Sequence, residues 1–248
     1  MDNNKMPLNV LIACESSGIG RDAFIRAGCR AMSCDLLDTE RPGPHYKGDV
    51  RDVLIDDYWD IIIAHPTCTR LTNAGARWLI EPPKKLAPWQ YPAAVVAAYA
   101  SMSRDQRLAF MWDELRQGAE FYKLFKKVRA KKGKAIENPI MHCHARELIQ
   151  PGPRQIVQPW WFGEEAFKAT GFELDRLPPL VATNRLTPPK PGTPEHKKWS
   201  AVHLASPGPE RWRDRSRTFH GIADAMAAQW GNPNAGNLPA QLNLLEAA

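Results

Sequence analysis

The chain has 248 residues, 44% apolar and 24% charged, which suits one large or two small globular domains with a substantial core. No run approaches the roughly 18 consecutive apolar residues of a membrane span, and Met1 to Pro7 holds no apolar signal core, so a cytoplasmic protein is expected. The net charge of +6, much of it in Lys123 to Lys134 and Arg211 to Arg217, fits either a polyanionic partner such as nucleic acid or a set of solvated helix faces.

Leu8 to Ala13 reads as a first strand and runs into the small-residue loop Cys14-Glu15-Ser16-Ser17-Gly18-Ile19-Gly20. Arg21 to Ala27 has helical spacing, with Gly28 as a stop. Arg30 to Cys34 is a second strand ending on Asp35. This βαβ opening, with an acid at the tip of its second strand, suits a nucleoside cofactor: the loop admits it to the backbone and the acid binds ribose hydroxyls. The distance from loop to acid is shorter than the roughly 20 residues of a dinucleotide site, and no full G-x-G-x-x-G is present; both argue against a nicotinamide enzyme. Gly48-Asp49-Val50 follows a short third strand, and Asp49 either meets a nucleobase edge or caps a helix.

The run Ile61-Ile62-Ile63-Ala64 is a strand buried on both faces, stopped by His65-Pro66. Cys68 follows in the loop at the strand's carboxyl end, where open α/β sheets bind ligands, with Arg70, Asn73 and Gly75 just beyond. A thiol beside an arginine in such a loop is either a nucleophile or a half-buried structural cysteine. Glu81 to Pro92 is a proline-rich surface loop. Ser103 and Gln106 form a capping box for a long helix whose apolar positions run from Leu108 through Met111, Trp112, Leu115, Ala119, Tyr122 and Phe125 to Val128. Lys134-Ala135-Ile136 is another short strand, ending at Glu137-Asn138-Pro139. Glu137, a second strand-end acid, can share one crevice with Cys68.

Five cysteines, an odd number without a Cys-x-x-Cys, indicate reduced thiols. His142-Cys143-His144 is not expected to bind metal, because adjacent side chains diverge and no second cluster completes a ligand set. After Gln150 no regular sheet is expected. Trp160 and Trp161, in Gln158-Pro-Trp-Trp-Phe-Gly163, serve either as a base-stacking platform or as the core of a small irregular region. Thr218 to Trp230 has helical spacing with Gly231 as its stop, and a loose tail is expected from Asn232.

With these residues in place the chain resembles the DNA cytosine-5 methyltransferases, and within them a short branch associated with phages and prophages. Ser17-Gly18-Ile-Gly20 with Ala23-Phe24-Ile-Arg-Ala27-Gly28 is similar to the family's cofactor loop and helix. Asp35 stands at the family's strand-two acid, Gly48-Asp49-Val50 at its Gly-Asp-Ile, Pro66-Thr67-Cys68 with Ala74-Gly75 at its Pro-Pro-Cys loop, and Glu137-Asn138-Pro139 at its Glu-Asn-Val. The order of the five is the family's order. Glu15-Ser16-Ser17 stands where the family prefers Phe-Ala-Gly, Thr67 replaces the second proline, and no Gln-x-Arg-x-Arg follows Glu137.

The resemblance implies an α/β, Rossmann-like S-adenosylmethionine-dependent methyltransferase fold with a small irregular appended region. Residues 1–150 would form the cofactor-binding catalytic domain, 151–217 the target-reading region, 218–231 a helix returning to the catalytic domain, and 232–248 a tail. It implies methyl transfer to cytosine carbon 5 in DNA, with the target base flipped from the duplex. Cys68, Glu137, Arg70 and Asn138 would carry the chemistry; Glu15, Ser16, Ser17, Gly18, Gly20, Asp35, Asp49 and Pro66 would hold S-adenosylmethionine. The residues also admit a related pyrimidine carbon-5 enzyme acting on RNA, on a nucleotide or with another donor, and a non-catalytic nucleic-acid-binding relative.

Overall fold

A computed structural model describes residues 6–137, 140–204 and 217–231. Seven strands form one sheet: β1 (Asn9–Ala13), β2 (Arg30–Asp35), β3 (His45–Lys47), β4 (Ile61–Ala64), β5 (Gly133–Glu137), β6 (Arg154–Val157) and β7 (Thr170–Asp175), in the order β3-β2-β1-β4-β5-β7-β6. β3, β2, β1, β4 and β5 are parallel; β7 runs antiparallel to both β5 and β6. The strand order reverses at β1, between β2 and β4, so the carboxyl ends of β1, β2 and β4 open onto one crevice. This is the α/β, Rossmann-like architecture expected from the sequence.

The buried strands are apolar on both faces, as a sheet covered on both sides requires. Ile62, Ala64 and Ile136 pack under Leu115, Tyr122 and Phe125 of α4 (Arg104–Lys127), beside Tyr99 of α3 (Ala93–Ser101) and Ala145 of α5 (Cys143–Ile149). Ile61, Ile63 and Ala135 face the other way, onto Phe24 of α1 (Ile19–Arg26) and Ala223 and Met226 of α8 (His220–Trp230). The capping box holds: Ser103 Oγ accepts from the Gln106 amide and the Gln106 side chain accepts from the Ser103 amide. α8 returns to α1 through Arg26–Asp224 and through the Cys29 thiol on the Gly231 carbonyl.

The expectation of no regular sheet after Gln150 is corrected by β6 and β7. β6 is a short edge strand, Arg-Gln-Ile-Val, bracketed by Pro153 and Pro159, with only Val157 buried, so it has no continuous apolar run to read. β7 carries Gly171 and Glu173 inside it, yet is tied to the other face by Tyr122, whose hydroxyl donates to Glu173 at 2.9 Å. The sheet therefore continues past residue 150. Between β7 and α8 the described chain is loops and the short helices α6 (Pro194–Trp199) and α7 (Ala201–Leu204). Of the remaining segments, α2 (Asn73–Ala76) follows the Cys68 loop directly. Among the described residues no helix is long and apolar enough to cross a membrane.

The basic run Lys123 to Lys134 lies where α4 ends and β5 begins, at the sheet edge opposite the carboxyl ends that carry Cys68 and Glu137. Three of its members are engaged locally: Lys123 with Glu120, Lys126 with Glu173, Arg129 with Asp57. Lys134 is buried, with Nζ donating to the Lys126 and Val128 carbonyls; burial lowers its pKa despite nearby Asp175. Of the second run, Arg217 pairs with Glu40, while 211–216 lie outside the described residues, as do Asn138 and 232–248.

Candidate active site

The loops after β1, β2 and β3 are stitched together at the carboxyl edge. The Glu15 amide donates to the Cys34 carbonyl, the Gly48 amide to the Asp35 carbonyl, and the Glu40 amide to the Ser16 carbonyl. Ser17 and Glu15 are buried and hydrogen-bonded through their side chains, and the second Glu15 oxygen, Oε2, is buried without a partner among the described residues. Gly18, at φ +73, turns the chain into α1, and a Cβ there would sit 2.6 Å from Arg21 Nη2. A Cβ on Gly20 would press on Ile12 of β1 at 3.2 Å, so this glycine seats α1 on the sheet.

Asp35 is half-buried and accepts the Leu37 amide at 3.0 Å. Asp49 caps a 3₁₀ turn at Val50–Asp52 and pairs with Arg51; the hydrogen bond from the Arg51 amide lowers its pKa first, and the Arg51 side chain adds to this. Of the two sequence readings for Asp49, capping is therefore observed. Burial drives the Cys14 thiol well above its ordinary range, with Asp35, Cys34 and Asp49 acting in the same sense; the Cys34 thiol is pushed up to about 11, again chiefly by burial. Asp35 and Asp49 thus act on one locus at the tip of β1.

Arg21, which the sequence reading left inside the helix pattern, is fully buried and organises this edge. Its guanidinium donates to Asp22, Ser33, Thr39 and the carbonyls of Arg41 and Pro42, pinning the 36–44 loop beside the Ser16 loop. A Cβ on Gly43 would lie 2.7 Å from that guanidinium. A cavity of about 400 Å³ lies alongside, between Ile19, Glu40, Arg41, Arg217, Thr218 and His220. The buried Thr218 hydroxyl has no hydrogen-bond partner among the described residues.

Cys68 sits half-buried in the loop after β4, and its carbonyl accepts the Leu71 and Thr72 amides. Pro66 is buried. Leu71, fully buried, anchors the loop in the core, and a bridge between Thr72 and Met141 ties it to the segment after β5. A Cβ on Gly75 would meet the Thr69 carbonyl at 2.5 Å, so the loop closes on itself only with glycine there. The Arg70 guanidinium donates to Tyr91 at 2.7 Å, and Tyr91 donates to Glu114 at 2.7 Å. Arg70 is committed to this clamp. His142 caps α5 and bonds the Arg70 carbonyl at 2.7 Å, so the His142-Cys143-His144 stretch is structural at its first residue. Among the described residues no group of three or more His, Cys, Asp or Glu is placed to hold a metal.

Glu137 ends β5 beside β4. The register pairs Ala64 with Ile136, so the next step along each strand sets His65 beside Glu137 on one face of the sheet. His65 Nδ1 and Glu137 Oε2 are hydrogen-bonded. Burial acts to raise the Glu137 pKa, but the hydrogen bond and charge of His65, with Lys168 behind, outweigh it and hold the carboxyl below the ordinary glutamate range. The structure therefore keeps Glu137 ionised and partnered, against the upward pull of burial. His65 carried no sequence signal beyond standing before a proline. Trp160 and Trp161 pack edge to face, with Arg185 over both rings.

No protein-family model matches this chain, and no curated protein matches it. Among solved structures, the Entamoeba histolytica methyltransferase EhMeth aligns with TM-score 0.38 at 13% identity, over 75% of this chain and 58% of that one. WbdD, crystallised with a kinase inhibitor, aligns with TM-score 0.35 at 12% identity, over 73% and 39%. The DhpI-SAM-HEP complex aligns with TM-score 0.21 at 14% identity, over 71% and 63%. The chain thus spans less than two thirds of each of these chains, and likeness at this level carries no argument for substrate or cofactor.

Proposed function

We propose that this chain is an S-adenosylmethionine-dependent methyltransferase acting on carbon 5 of cytosine in DNA. The observation that supports this reading best is the placement of Cys68 and Glu137 after adjacent strands, β4 and β5, on the carboxyl edge of the sheet. The motif order read from the sequence supplies the reaction class.

The residues at the first three strand ends suit the cofactor. Glu15 Oε2 is buried without a hydrogen-bond partner among the described residues, and Asp35 and Asp49 flank the same edge. Glu15, Ser16, Ser17, Gly18, Gly20, Asp35, Asp49 and Pro66 would hold it. When bound, S-adenosylmethionine supplies an electrophilic methyl group on a sulfonium. Cys68, as thiolate, adds to carbon 6 of the pyrimidine, breaking the 5,6 double bond and making carbon 5 nucleophilic. With Oε2 held by His65, Oε1 of Glu137 would accept from the exocyclic amine as charge develops on the ring. Once carbon 5 has taken up the methyl group, loss of its proton to a base would restore the double bond and expel the Cys68 sulfur. In a duplex the base must first leave the stack, at a cost of a few kcal/mol.

Incubation with DNA and methyl-labelled S-adenosylmethionine, followed by digestion to nucleosides, tests the reading. Label in 5-methylcytosine is expected. Label on an exocyclic amine, or transfer to RNA or free nucleotides alone, would replace it with another methyltransferase reaction.

A further inference from the structure

His65 stands out among the buried polar groups that this mechanism does not use. Its side chain is 9% exposed. Among the described residues Nδ1 is bonded to Glu137, while Nε2 is buried with no partner. An imidazole with one orphaned nitrogen is an unfavourable way to fill a strand end, where an apolar side chain would leave nothing unpaired. Its backbone contribution, the amide donating to Ala13, needs no imidazole. What the side chain uniquely provides is a donor at the Nδ1 position, against the one strand-end carboxylate that faces the pyrimidine in the proposed reaction.

We propose that His65 is the positioning residue for Glu137: its Nδ1–H holds Oε2 and thereby fixes Oε1 toward the target base. The proposal rests on the reading of the site as a pyrimidine methyltransferase. The register makes the arrangement rigid, since both residues extend neighbouring strands of a parallel ladder by one step. The imidazole acts as a fixed donor and touches neither cofactor nor substrate.

Two substitutions separate the nitrogens. His65→Asn places an amide donor where Nδ1 stands; His65→Gln places one where Nε2 stands. Folding is verified by circular dichroism, and cofactor-site integrity by S-adenosylhomocysteine binding. His65→Gln is expected to lower kcat about 100-fold with the KM for DNA little changed, the cost of misplacing a reacting group by about 1 Å. His65→Asn is expected to recover at least ten-fold of that loss. Equal activity of the two variants would overturn the proposal, as would a purely KM effect.

A second measurement does not depend on the reaction. In ¹⁵N-histidine-labelled protein, proton NMR is expected to show an exchange-protected proton on His65 Nδ1, far downfield of the amides and lost in Glu137→Leu. Absence of that proton in the wild type refutes the pairing. If the proton is present but the wild type methylates no cytosine, the pairing stands and the reading of the reaction falls.

Discussion

Replacing Arg21 with methionine tests the architecture of the cofactor edge. Methionine fills much of the same volume but donates no hydrogen bond. Four of the acceptors keep another partner: Asp22 keeps Arg41 at 3.9 Å, Ser33 keeps His45, and Thr39 and the Arg41 carbonyl keep each other. Each of these loses about 0.5–1.5 kcal/mol of net bonding. The Pro42 carbonyl is left without its donor, at about 1–3 kcal/mol. With some relaxation of the loop, the expected loss is about 3–5 kcal/mol, within the range for breaking a buried ionic cluster. Urea unfolding measures it directly. Arg21→Lys keeps the charge without the fork and should fall between the two. Because the pinned loop donates to Ser16, S-adenosylhomocysteine binding should weaken in Arg21→Met even where the protein remains folded. A loss below about 1 kcal/mol with unchanged binding would refute this account of Arg21.

Three further outcomes follow from particular contacts. Asp35→Ala should weaken S-adenosylhomocysteine binding at least ten-fold by calorimetry while the fold persists; undiminished binding would remove Asp35 from the cofactor site. Gly75→Ala must move the backbone of Thr69 and Arg70, so it should cost about 1–3 kcal/mol and depress methyl transfer more than cofactor binding. The depressed Glu137 pKa means its contribution to stability is full above the ordinary glutamate range and lost as pH falls through the native value. Melting temperature against pH should therefore fall on the acid side in the wild type, and Glu137→Gln should flatten that limb.

The parallel strands and helices α1, α4 and α8 were legible because their patterns are local, whereas α3 and α5 were not read as helices. Ile61 to Ala64 is a continuous apolar run, and Ser103 with Gln106 marks α4 by chemistry confined to four residues. β6 and β7 were not legible, because an edge hairpin is stabilised by pairing with a distant strand, and Gly171 and the flanking prolines mask it locally. Within the site, Cys68 and Glu137 were readable as strand-end residues. Their surroundings were not: the Arg70 clamp depends on Tyr91 and Glu114, and the His65 partnership on the β4–β5 register, neither of which any single stretch encodes. The same holds for Arg21, whose acceptors lie on its neighbour Asp22, on β2 and in the loop after it.

The central claim is that the Cys68 sulfur adds to carbon 6 of a cytosine in DNA. DNA carrying 5-fluorocytosine interrogates that bond, because fluorine at carbon 5 cannot leave as a proton and elimination stalls with the sulfur attached. With S-adenosylmethionine present, the wild type should form a denaturant-resistant protein–DNA adduct, peptide mapping should place it on Cys68, and Cys68→Ser should form none while still binding S-adenosylhomocysteine. An adduct mapping to Cys14, Cys29, Cys34 or Cys143, or wild-type turnover by Cys68→Ser, would contradict the account.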